Sequence, residues 1–82
     1  MRQYQTEIYS AVYGKRNWGG SNVVVTTENN ITKVYYYGNQ IGVIDHNVKT
    51  AKLDNCGYYN ASTTARINAI KMACDDMGYT YN

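Results

Sequence analysis

Between residues 23 and 53 the chain repeats one pattern: a short run able to extend, then a pair of residues able to reverse it. Val23-Val24-Val25-Thr26-Thr27 is β-branched throughout, and Asn29-Asn30 supplies a turn whose residues tolerate positive φ. Val34 to Tyr37 forms the next run, Gly38-Asn39 is a two-residue hairpin signal, and Gln40 to Ile44 follows. With that turn, Tyr36 pairs with Ile41 and Val34 with Val43. Four apolar side chains then share one face, and Lys33, Tyr35, Tyr37 and Gln40 share the other. Register decides the next reversal. A two-residue turn at His46-Asn47 would set Thr50 and Lys52 beside Val43 and Ile41. A three-residue turn over Asp45, His46 and Asn47 sets Ala51 and Leu53 there instead, and burial selects it. The pattern predicts a four-stranded antiparallel meander with one apolar face.

Such a face needs a cover, and the C-terminal third supplies it. Ile67, Ile70, Cys74 and Met77 recur at helical spacing, with Ala69 and Ala73 beside them. Ser62 or Thr63 offers an N-cap, and Gly78 stands where a helix ends. Arg66, Lys71, Asp75 and Asp76 fall on the more polar side. Beyond the helix, Tyr79 and Tyr81 can extend along a sheet edge. Residues 3–13 carry Tyr4, Ile8, Ala11 and Val12 at a spacing that suits a short helix, although Tyr9, Ala11 and Tyr13 would suit a strand equally well. We read this segment as helix. Gly14 and then Gly19-Gly20 break it, leaving a loop of Lys15, Arg16, Asn17 and Trp18. No linker or repeat divides residues 1–82, so the expected architecture is one small α+β domain. At 82 residues, it buries roughly 60–65 % of the surface its unfolded chain exposes.

Charge and cysteine content narrow the function classes. A net charge of +2 with dispersed basic residues is too slight to mark a polyanion binder. Cys56 and Cys74 lack zinc-ligand spacing and are expected to be reduced thiols. No apolar run approaches the ~20 residues that span a bilayer, and no signal-peptide pattern opens the chain, so the expected location is the cytoplasm where it is made. The sequons at Asn30 and Asn60 are chance matches in a chain rich in Asn and Thr. No catalytic set emerges. His46, the single histidine, falls in the predicted hairpin turn without a nucleophile or orienting partner. Asp75 and Asp76 project about 100° apart on a helix, which is poor for a shared metal. Trp18-Gly19-Gly20-Ser21 lacks the lysine and following helix of a phosphate-binding loop. The expectation is a non-enzyme with no cofactor and no metal.

Ten tyrosines and one tryptophan, with no phenylalanine, exceed what one small core needs. Several should be exposed, and exposed Tyr is a frequent anchor in protein interfaces. The candidate partner contacts are Lys15 and Arg16 with Trp18, and Lys33 with Tyr35 and Tyr37 on the polar sheet face. Two tyrosines beside a lysine also have the ingredients of a base-stacking platform for single-stranded nucleic acid. A plain structural role, covering the sheet or packing beneath the N-terminal segment, competes with both. An edge strand at Val23–Thr27 could pair with a second copy.

Three stretches carry a resemblance: Tyr35 to Ile41 as YxxGNxI, Cys56-Gly57-Tyr58, and Thr63 to Asn68 as TTxRIN. Over residues 20–70 the chain resembles a family of small tailed-bacteriophage proteins, with Tyr58 where many members carry Trp and Ala65 where Lys is common. The shared residues also read well as structure: a tight turn, a strand-to-helix crossing and a helix start, with Arg66 and Asn68 tying that helix to the preceding loop. What the resemblance implies is a phage accessory protein that binds and inhibits a host protein complex in the host cytoplasm. A CRISPR effector is the leading target class, in the manner of an anti-CRISPR. The runner-up is a single-stranded nucleic-acid-binding module.

Overall fold

A computed structural model describes residues 1–82. The chain runs α1 (Gln3–Tyr13), β1 (Trp18–Gly20), β2 (Val23–Glu28), β3 (Ile31–Tyr36), β4 (Asn39–Asp45), β5 (Thr50–Leu53), α2 (Ala61–Met77) and β6 (Thr80–Tyr81). The α+β class and the meander are as expected, but the sheet has six strands in sequence order rather than four. The five antiparallel strands arise from successive reversals, and β6 closes the far edge parallel to β5.

Three of those reversals are two-residue turns with both central residues at positive φ: Ser21-Asn22, Asn29-Asn30 and Tyr37-Gly38. That geometry matches the twist of the flanking strands. The third lies one residue earlier than Gly38-Asn39. Asn39 leaves the turn and its side-chain amide donates to Tyr36 O and Tyr37 O at 3.3 and 3.4 Å. The pairing becomes Tyr36 with Asn39 and Val34 with Gly42, and an irregularity between them leaves Ile41 as an extra residue in β4. This bulge resolves a conflict of period. Ile41 and Ile44 are three apart and would face opposite ways in a regular strand, yet both are fully buried. Val43 is expelled to the outer face, contrary to the expected pairing with Val34.

After β4 the loop is also longer than expected. Asp45 pairs with Thr50 across four residues, and Ala51 and Leu53 still land opposite Ile44 and Gly42. Burial thus selected the face and left loop length free.

Both helices lie on the same side of the sheet. Ile8, Ala11 and Val12 of α1 join Ile67, Ala69, Ile70, Ala73 and Cys74 of α2 over Val23, Val25, Val34, Ile41, Ile44 and Ala51. The N-cap of helix α2 is Asn60, two residues before Ser62, and its Oδ1 accepts the Thr63 N–H at 2.9 Å. It ends at Gly78 in the left-handed region. Gly42 marks where α2 comes closest, since a Cβ there would lie 3.0 Å from Ile70 Cδ1.

The two edges are short, three residues in β1 and two in β6. Next to each, a neighbouring strand's free amide is occupied by an asparagine: Thr27 N–H donates to Asn17 Oδ1 at 2.8 Å, and Leu53 N–H to Asn82 Oδ1 at 2.7 Å. The Val23–Thr27 segment expected to be an open edge is therefore an interior strand, flanked by β1 and β3. No helix of the structure is long and apolar enough to cross a membrane.

Candidate functional site

With both helices on one side, the opposite face of the sheet is left uncovered, and the ladder pairings give its layout. One row crosses Gly19, Val24, Tyr35 and Gln40; the next crosses Thr26, Lys33, Val43 and Lys52; a third crosses Glu28, Ile31, Asp45 and Thr50. Tyr35 stands directly opposite Val24, itself 49 % exposed, and Lys33 opposite Val43. Thr26, Glu28, Asn29, Ile31, Lys33 and Tyr35 line a shallow depression of about 380 Å³ on this face. The charges balance: Lys33 and Lys52 against Glu28 and Asp45.

Of the six expected contact residues, only Lys33 and Tyr35 share this face. Tyr37 does not join them. The turn at Tyr37-Gly38 turns its ring back onto Tyr36, centroid to centroid 4.7 Å, and its hydroxyl accepts from Asn22 Nδ2 at 3.0 Å. The two-tyrosine platform is thereby split. Trp18 is drawn inward: it pairs opposite Val25 and packs on the core. Its ring lies over Gly20, where a Cβ would meet it at 2.9 Å, which accounts for the second glycine of the Gly-Gly pair. Lys15 and Arg16 remain exposed in the α1–β1 loop, with Arg16 Nη2 donating to Ser10 Oγ at 2.7 Å.

Two residues behave unlike their sequence reading. His46 is not an open turn residue but is 5 % exposed. Its Nε2 bonds Thr32 Oγ1 at 2.7 Å, its Nδ1 bonds the Tyr79 hydroxyl at 3.0 Å, and Thr32 in turn bonds Thr27 Oγ1 at 2.7 Å. This chain ties β2, β3, the β4–β5 loop and the start of β6. Burial lowers the imidazole's proton affinity, Lys15 lowers it further, and Asp45 opposes them. Arg66 was expected on the polar side of α2, yet only 8 % of it is exposed. Its guanidinium lies between the rings of Tyr4 and Tyr36, 4.1 and 4.2 Å from their centroids, and Nη1 donates to Ser62 O at 3.0 Å. The two rings offset part of the cost of burying a cation.

Three exposed tyrosines gather at that end of the molecule. Tyr37, Tyr58 and Tyr59 are 67, 51 and 87 % exposed. Tyr36, Tyr37, Tyr58, Asn39, Asn60 and Thr63 wall a groove of about 290 Å³. The sequence signal for this corner was the tyrosine excess itself, but nothing in it located Tyr58 and Tyr59 beside the β3–β4 turn.

No curated protein and no solved structure matches the chain. A family model does, over residues 1–81, its description being Kyanoviridae Gp96 protein. The match spans nearly the whole chain, both helices and all six strands included, and the chain belongs to this family of bacteriophage proteins.

Proposed function

We propose that the chain is a phage accessory protein that acts by stoichiometric binding, docking a host protein on the open face of its sheet and inhibiting it, without catalysis. The observation that supports this reading is the uncovered face itself. An antiparallel sheet can leave one face to water. This one places Tyr35 between Val24 and Gln40, with Ile31 and Val43 close by, rather than an unbroken polar surface. An aromatic anchor among small apolar residues, rimmed by mixed charge, is the composition of protein interfaces. The balance of two lysines against two carboxylates favours a protein over nucleic acid, whose binding rests on an excess of cations. The single-stranded nucleic-acid reading rested on Tyr35 and Tyr37 acting together, but Tyr35 stands on the open strand face while Tyr37 sits in the turn against Tyr36. Within the protein reading, a CRISPR effector complex is the target class to test first.

The test is capture of a host complex by tagged protein after nuclease treatment, compared with a Val24→Ser/Tyr35→Ala variant. Neither residue belongs to the buried core, so the variant keeps its far-UV spectrum. Its retention of the complex should fall at least tenfold, about 1.4 kcal/mol. A folded double variant that binds as well as the parent overturns the assignment of this face. Capture that disappears with nuclease overturns the protein partner.

A further inference from the structure

Both helices point their N-termini at one corner. Near their starts, Gln5 Nε2 donates to Ala65 O at 3.0 Å; near their ends, the Tyr9 hydroxyl bonds the Asp76 carboxylate. The helices therefore run parallel, and their positive ends add. Side-chain charge is arranged against that dipole. Neither first turn holds an acidic residue and neither last turn a basic one. Arg2 and Arg66 stand at the positive end, and Asp75 and Asp76 at the negative end of α2. Each like-signed placement costs rather than contributes a few tenths to about 1 kcal/mol, which points to an anion missing from the positive end.

A groove of about 400 Å³ opens at this corner, lined by Arg2, Tyr4, Ala61, Ser62, Ala65 and Arg66. Asn60 satisfies the amides of Thr63 and Thr64 with its side chain and carbonyl, at 2.9 and 3.0 Å, leaving those of Ala61 and Ser62 as the free donors of the helix end. Arg66 supplies an independent sign of a ligand. It is more than nine-tenths buried, its one hydrogen bond leaves from Nη1, and Nε has no partner. Nε is covered in this structure, so an oxyanion reaches the Nε–Nη2 edge, which takes two oxygens side-on, once the guanidinium shifts outward between its two rings. Two arginines, two backbone amides and two helix ends suit a dianion better than a single carboxylate.

We propose that this corner is a binding site for a phosphate group, held by Arg66 and Arg2 with the Ala61 and Ser62 amides. Ser62 also borders the tyrosine groove, and the Tyr36 ring that covers Arg66 forms one of that groove's walls. The phosphate can thus arrive as the free ion or on a nucleotide whose base enters between Tyr37 and Tyr58. Tyr37 holds φ of 50° at the mouth, a conformation unfavourable for a bulky residue and often kept where a side chain has a task.

The experiment is an NMR titration of the full chain, at constant ionic strength, with inorganic phosphate and then with adenosine monophosphate. Saturable shifts are expected at the Ala61 and Ser62 amides and the Arg66 Nε–H, with Kd of about 1 mM or tighter. Arg2→Gln, an exposed substitution that leaves the fold intact, should weaken binding about tenfold, a loss near 1.4 kcal/mol. Arg66→Lys, which lacks the two-donor edge, should abolish it. Tighter binding of the nucleotide, with the Tyr37 and Tyr58 ring signals moving, identifies a nucleotide phosphate; equal affinity with those rings unmoved identifies the free ion. Shifts absent for both probes, or present but unchanged by Arg2→Gln, overturn the site.

Discussion

Replacing Gly42 by Ala tests how closely α2 lies on the sheet. A Cβ built there meets Ile70 Cδ1 at 3.0 Å and Leu53 Cδ2 at 3.4 Å. Leu53 is half-buried and can yield; Ile70 is fully buried and cannot move freely. Overpacking at such a contact costs about 1–3 kcal/mol, against about 0.5–1 kcal/mol regained because alanine restricts the unfolded chain. Ile70→Val alone removes Cδ1 and costs about 0.5–1.5 kcal/mol. The combination is the informative protein. Its new methyl occupies the space that Cδ1 vacates, so volume is nearly conserved and the pair should cost less than about 1.5 kcal/mol. Urea denaturation of the four proteins, compared at a common slope, gives the coupling directly. We expect the double variant to exceed the additive sum by about 1–2 kcal/mol. Out of a total near 4–12 kcal/mol for a chain of this length, that is readily measured. Additivity within about 0.5 kcal/mol would refute the close approach of helix and strand at this point.

Three further outcomes follow from the buried polar and sulfur groups. Because burial lowers the His46 proton affinity, the unfolded chain binds that proton more readily. Stability should be full above the ordinary value of 6.5 and decline as pH falls through it, a decline that His46→Gln removes when thermal melts are compared across pH. Thr32→Val deletes the hydroxyl between His46 and Thr27 and should cost about 1–3 kcal/mol at neutral pH, read by the urea midpoint. Desolvation pushes the Cys74 thiol to about 11 and raises Cys56 less, and only Cys74 is fully buried. Alkylation under native conditions should label Cys56 first, with Cys74 reacting on global unfolding, as mass spectrometry of timed quenches would show.

The elements legible in the sequence were those whose signal is local. The 67–77 periodicity located α2, and the asparagine and glycine pairs announced a meander. Burial of Ala51 and Leu53 was deducible because a slip would expose both. What escaped were features that exist only between elements. β1 reads as a break because Gly19-Gly20 weakens any strand propensity, yet Gly20 is needed where the Trp18 ring folds over it. The bulge at Ile41 depends on the strand opposite. His46 and Arg66 look solvent-bound by residue type, and their burial rests on partners 14 and more residues away for the histidine and on two rings from separate elements for the arginine. Of the candidate contacts, Lys33 and Tyr35 were placed on one sheet face by strand alternation, and the register puts them there. Tyr37 was misplaced by a one-residue error in the turn.

The asparagines beside the two sheet edges bear on how such a protein can change its partner. Strand addition recruits through the backbone, which every sequence shares, and so it discriminates weakly and invites self-assembly. Asn17 and Asn82 shorten that route by occupying the Thr27 and Leu53 amides just beyond the two edge strands. In the proposed docking mode, recognition is then carried mainly by side chains. On the open face these contribute little to the core, so each can be exchanged singly while the fold stands. A lineage facing a shifting host target would thus alter Val24, Lys33, Tyr35 or Val43 one at a time, with the helices and the buried strand positions untouched.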